Sequence, residues 1–112
     1  MKNRTQILVI GQGAAGLRAA CAAAETGAEV LVVGKGSCAS PEIMGFNCVT
    51  EPGDSFQCFY EDIMQAGQEI NHTALARQLA EGSIHETEFL TSLGVTLDRK
   101  VDGSYHTLST LG

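Results

Sequence analysis

Ile7-Leu8-Val9-Ile10 runs straight into Gly11-Gln12-Gly13-Ala14-Ala15-Gly16, and an alanine-rich stretch then leads to a second apolar run, Val30-Leu31-Val32-Val33. A strand, a glycine turn, a helix and a second strand in that order form the layout that holds a dinucleotide pyrophosphate. A bare glycine triplet recurs by chance in unrelated chains, but here the strand before it and the helix after it are both present. Gly11 lets the chain turn sharply off the strand. Gly13 carries no side chain, so a pyrophosphate can approach the backbone amides at the positive end of the helix. Gly16 lets helix and strand pack closely. Between about residues 14 and 26 the alanines at 14, 15, 19, 20, 22, 23 and 24 favour helix and leave a slim surface against a sheet, and Gly27 stops the helix. The competing reading is a βαβ unit with a tight turn and no ligand.

The end of the second strand ordinarily carries an acidic side chain that hydrogen-bonds ribose hydroxyls. Here that place falls at Gly34, followed by Lys35 and Gly36. Without the acid, ordinary NAD binding loses support, while Lys35 could contact the extra phosphate of NADP.

A third option comes from the order of motifs downstream. Gly34-Lys35-Gly36 is followed by a loop through Ser37, Ser40, Gly45 and Asn47, then by Gly53-Asp54-Ser55, Glu61-Asp62-Ile63, Ala66-Gly67, Leu93-Gly94-Val95, Leu97-Asp98-Arg99 and Asp102-Gly103. In this order the chain resembles the N-terminal part of the fumarate reductase and succinate dehydrogenase flavoprotein family, L-aspartate oxidase included. The resemblance implies that the glycine motif holds the ADP part of FAD, and the family's second strand often ends in a small residue before lysine, as Gly34-Lys35 does. It assigns Gly11, Gly13, Ala14, Ala15 and Gly16 to the pyrophosphate and ADP site, and Lys35, Gly36, Ser40, Gly45 and Asn47 to loop contacts toward the flavin.

Two departures from the family matter. The loop Ser37-Cys38-Ala39-Ser40-Pro41-Glu42-Ile43-Met44-Gly45-Phe46-Asn47 has one glycine where a double glycine is usual, and it lacks the histidine that attaches FAD covalently in some members, so non-covalent FAD is expected. The family's substrate-binding histidines, catalytic arginine and flavin-covering segment lie beyond the position of Leu111-Gly112. The expectation is therefore an FAD-binding start with no catalytic residues of its own, whose partners are FAD and a downstream flavoprotein half or partner subunit. The alternative is a stand-alone dinucleotide-binding module or a subunit completed by a partner chain; a truncated product with uncovered sheet edges is the third reading.

The fold class expected is α/β, a partial Rossmann-like βαβ unit followed by two helices, with an incomplete parallel sheet. Two strong strand candidates lie at about residues 6–10 and 29–33, with a weaker run at Val95-Thr96-Leu97 before an Asp102-Gly103 turn. The division expected is a nucleotide-binding unit at 5–36, a loop at 37–53 bracketed by Pro41 and Pro52, a helical segment at 54–94, and a strand and turn at 95–112. From Asp54 to Gln68 the apolar positions Phe56, Phe59, Tyr60, Ile63 and Met64 form a helical stripe, more in keeping with core than with a cofactor box. Asn71 is the candidate N-cap of a second helix, in which Leu75, Ala76, Leu79, Ala80, Ile84, Thr87, Leu90 and Leu93 face one way and Gly94 ends the run.

Composition excludes several classes of function. A net charge of −6 leaves no basic patch to neutralise nucleic-acid phosphates. The apolar runs are strand-sized, and Lys2 and Arg4 do not make a targeting sequence, so a cytoplasmic protein without a transmembrane segment is expected. Cys21, Cys38, Cys48 and Cys58 lack CxxC pairing and metal-ligand spacing, and are expected to be reduced thiols. Cys21 fits buried packing, and thiols such as Cys38 and Cys48 are inert unless their pKa is lowered. His72, His85 and His106 are too widely spaced for a metal site and fit surface or helix-terminal positions. Glu61, Asp62, Glu86 and Glu88 fit a solvated face, and no catalytic or metal-binding residue is expected.

Overall fold

A computed structural model describes residues 4–43, 45–50 and 53–108. Lys2, Met44, Pro52 and Leu111-Gly112, which the sequence reading used, lie outside these. The chain divides into two compact units, Met1–Met44 and Gly45–Gly112.

The first unit is the expected βαβ. Strand β1 (Ile7–Ile10) pairs in parallel with β2 (Val30–Val33), with Ile7 opposite Val30 and Ile10 opposite Val33. Helix α1 (Ala14–Glu25) connects them, and Gly27 turns the chain out of it at φ +83°. Side chains alternate between sheet faces. Val9 lies beneath α1, where a Cβ on Gly16 would stand 3.5 Å from Val9 Cγ1. Leu8, Ile10, Leu31 and Val33 point the other way and are 53, 83, 43 and 46 % exposed. A parallel sheet is stable when both faces are covered, and here helix covers one.

The second unit is built on two helices packed together, α2 (Phe56–Ala66) and α3 (Thr73–Ser92). Ser55 starts α2, its Oγ accepting from Cys58 N at 3.1 Å. Met64 is the buried member of the apolar stripe, while Phe56 is half exposed. Arg77 of α3 stacks over the Tyr60 ring of α2 at 4.6 Å, a cation–π contact between the two helices.

Two expectations about α3 need correcting. Its N-cap is His72, whose Nδ1 accepts from Leu75 N, while Asn71 donates from Nδ2 to Ile63 O at 2.6 Å. Asn71 therefore closes the end of α2. The chain between the helices passes through Gln68 and Glu69 at φ 51° and 62°, a left-handed stretch without glycine, tied back by Glu69 N to Met64 O at 3.0 Å. The single apolar face expected for α3 also divides. Ala76, Ala80 and Thr87 are buried together with Ser83, whereas Leu75, Leu79, Ile84 and Leu93 stay exposed. Small side chains allow two helix backbones to approach closely, and leucines on that face would hold them apart.

Beyond Gly94, which leaves α3 at φ +91°, residues 95–97 form no strand. The turn that follows is present, with Arg99 bridged antiparallel to Tyr105, Lys100 N donating to Ser104 O at 2.8 Å, and Gly103 at φ +88°.

Candidate functional site

The site lies in the first unit, where β1 ends and α1 begins. Gly11 N donates to Val33 O at 2.8 Å, extending the parallel ladder by one residue, and the chain then turns at Gly11 with φ +121°. That conformation favours glycine. Gly13 is the N-cap of α1 and offers no side-chain cap, and no acidic residue lies in the helix's first turn. Gly16 is held by sterics: a Cβ there would overlap the Gly11 carbonyl oxygen and stand 3.0 Å from its carbon. The helix thus begins hard against the glycine turn.

The loop after β2 folds back onto this turn. A short 3-10 turn at Ser40–Glu42 places Ser40 Oγ 2.9 Å from Ala14 N, which donates to it. Ser40 therefore caps α1 from outside the helix, and a Cβ on Gly13 would come within 3.3 Å of its oxygen. The Cys38 thiol donates to Gln12 O at 3.7 Å. Gln12 Nε2 donates to Gly36 O at 2.5 Å, and Gly36 itself adopts φ +107°. Ala15 and Gly16 follow Ala14 with the first-turn N–H groups that a helix cannot pair internally.

Of the residues the sequence singled out, the structure brings Gly11, Gly13, Ala14, Ala15, Gly16, Gly36 and Ser40 together within the first unit. Lys35 is in the same unit, exposed beside Gly36. Gly45 and Asn47 belong to the second unit. Sequence reasoning missed Gln12, the variable residue inside the glycine motif. The available signal was a long amide side chain at that position in a chain whose second strand ends in glycine.

This arrangement suits a pyrophosphate chemically. Gly11 and Gly13 present no side chain to an incoming anion, the Ala15 and Gly16 amides of the α1 first turn follow the Ala14 amide that Ser40 Oγ already occupies, and no carboxylate in that turn competes for them. Among the described residues, no three His, Cys, Asp or Glu side chains lie close enough together to hold a metal ion, and no helix is long and apolar enough to cross a membrane.

Fold and site together define a dinucleotide-binding α/β unit of the flavoprotein kind. The chain belongs to the FAD binding domain family, which matches residues 6–112, and its cofactor is FAD. Probable fumarate reductase Ifc3 of Shewanella frigidimarina is 38% identical over 105 residues, covering 84% of this chain and 18% of that protein. L-aspartate oxidase of Clostridium perfringens is 32% identical over 106 residues, covering 92% of this chain and 24% of its own. Among solved structures, the Mycobacterium smegmatis Sdh1 complex in the apo form superposes with a TM-score of 0.81 at 29% identity, over 95% of this chain and 19% of that one. The open conformation of a flavocytochrome c3 fumarate reductase superposes with a TM-score of 0.73 at 31% identity, over 92% of this chain and 21% of that one. The chain thus spans between 18% and 24% of the length of these relatives. The family resemblance drawn from the order of motifs and the partial Rossmann-like fold both stand.

Proposed function

We propose that this chain holds the ADP portion of FAD, non-covalently, in a flavoprotein oxidoreductase of the fumarate reductase and succinate dehydrogenase type. One observation carries the reading: the glycine turn that meets α1 without space for a side chain at Gly16 and without an acidic residue in the helix's first turn. Gly11, Gly13, Ala14, Ala15 and Gly16 would line the pyrophosphate. Ser40, with Lys35 and Gly36, would shape the loop beside it, and Gly45 and Asn47 would reach toward the flavin. Residues 5–36 would be the nucleotide-binding part, 37–53 the loop, 54–94 the helical segment and 95–112 the C-terminal segment of the N-terminal part of one FAD-binding domain. Bound FAD supplies hydride transfer to or from a carbon–carbon double bond conjugated to a carboxylate, the substrate class suggested by the fumarate reductases among the relatives. This segment would retain the cofactor without turnover, in a cytoplasmic enzyme.

Completion by further polypeptide, in the same chain or a partner subunit, is favoured over a stand-alone module by the uncovered sheet face of Leu8, Ile10, Leu31 and Val33. The test is an absorbance spectrum of the purified chain with added FAD, alongside gel filtration. A retained flavin spectrum is expected, and Gly13→Val should abolish it by filling the approach to the helix amides. Full FAD occupancy in Gly13→Val would refute the assigned role.

A further inference from the structure

Dinucleotide folds of this type place an acid at the end of the second strand to accept hydrogen bonds from ribose hydroxyls. In this chain that position is Gly34, which has no side chain to accept with. The space over Gly34 is nonetheless filled. A Cβ built there would fall 2.7 Å from Gln12 Cγ and 2.5 Å from its Cδ, with Oε1 nearer still. The Gln12 carboxamide lies where a side chain from residue 34 would begin.

Its orientation is also set. Gly36 O can only accept, so the amide edge facing it at 2.5 Å must be Nε2, and Oε1 is left as the acceptor above the strand end. The side chain is anchored at both ends, by the glycine turn it grows from and by the carbonyl it bonds.

We propose that Gln12 replaces the missing acid, with Oε1 accepting from the adenosine ribose hydroxyls of the dinucleotide and Gly34 kept side-chain-free to admit it. The recognition element is delivered by the glycine turn, and it is neutral. The inference rests on the FAD reading above.

The test is FAD titration of the full 112-residue chain by flavin fluorescence, with ADP and 2′-deoxy-ADP as competitors. Wild type should bind FAD and prefer ADP over 2′-deoxy-ADP. Gln12→Ala should weaken FAD about tenfold, the loss of one well-formed hydrogen bond, and bind both competitors equally. Gly34→Ala, which leaves Gln12 in the sequence but drives its amide aside, should lose the preference in the same way. Gln12→Ala/Gly34→Glu should recover it by restoring an acid at the strand end. Should Gln12→Ala weaken both competitors in parallel and keep the wild-type preference, the amide is a clamp on Gly36 and the ribose role is wrong. Should wild type bind FAD with no preference, this inference alone falls; should it elute from gel filtration as a compact species and bind neither FAD nor ADP, the FAD reading falls with it.

Discussion

In the glycine turn the decisive positions are those with no side chain, and in the helical pair they are those with small ones, yet the two regions differ in what a methyl group would do. At Gly16 it would overlap a backbone carbonyl that has nowhere to go. At Gly82, in the middle of α3, it would meet nothing within 4 Å. The first unit is set by backbone against backbone. The second is set by side chains, small where α3 is buried and free to vary where it is exposed.

The same substitution in the two helices should therefore have opposite signs. Taken alone, glycine to alanine in a helix gains about 0.5–1 kcal/mol, because alanine gives up less chain entropy. Gly82→Ala should show that gain in urea unfolding. Gly16→Ala should lose it and cost roughly 1–3 kcal/mol more from the overlap, with FAD retention falling alongside stability. A stabilised, FAD-retaining Gly16→Ala would show that α1 can shift off the turn, and the contrast between the units would disappear.

This contrast also explains what could be read from the residues alone. A steric requirement for glycine leaves an unambiguous mark, so the positions of β1, the turn, α1, β2 and Gly27 are legible in the chain. Apolar periodicity leaves a weaker one. In α3 the leucines at 75 and 79 and the alanines at 76 and 80 are neighbours in sequence, and hydropathy puts all four on one face. Packing separates them: the small pair is buried and the leucines stay exposed. Asn71 was misleading for a related reason: asparagine favours caps in general, but here the left-handed Gln68-Glu69 turn carries its amide back to Ile63 O. In the candidate site, the glycine turn was legible from its motif, while the contacts of Ser40 Oγ with Ala14 N and of Gln12 with Gly36 O appear only once the loop after β2 has folded back.

The division of α3 can be tested directly. Ala80 is 1% exposed and Leu79 is 58% exposed. Ala80→Leu should cost about 1–3 kcal/mol by overpacking that buried position. Leu79→Ala should change stability by no more than about 0.5 kcal/mol, the range for surface positions. Urea midpoints with unchanged slopes would check both. A Leu79→Ala loss of about 2 kcal/mol or more, the cost of truncating a core leucine, would put the leucine face inside.

The smallest effect belongs to the turn at 99–105, where the second unit borrows the logic of the first. Gly103 sits at φ +88°, and Asp102 Oδ1 accepts from Ser104 Oγ at 2.7 Å and from Ser104 N at 3.0 Å. The hydroxyl bond first, and the backbone bond after it, hold the Asp102 carboxyl below its ordinary pKa of 3.8. A carboxylate depressed on folding stabilises the turn above its unfolded pKa, and that contribution is lost as pH falls through the lower folded value. The Asp102 carboxyl resonance should accordingly titrate with a midpoint below 3.8, with the Ser104 amide moving in step. Ser104→Ala removes the larger cause and should raise the midpoint toward the ordinary value while the backbone bond remains. A midpoint indifferent to Ser104→Ala would mean that the hydroxyl does not hold the carboxylate and that the Ser104 backbone bond carries the depression.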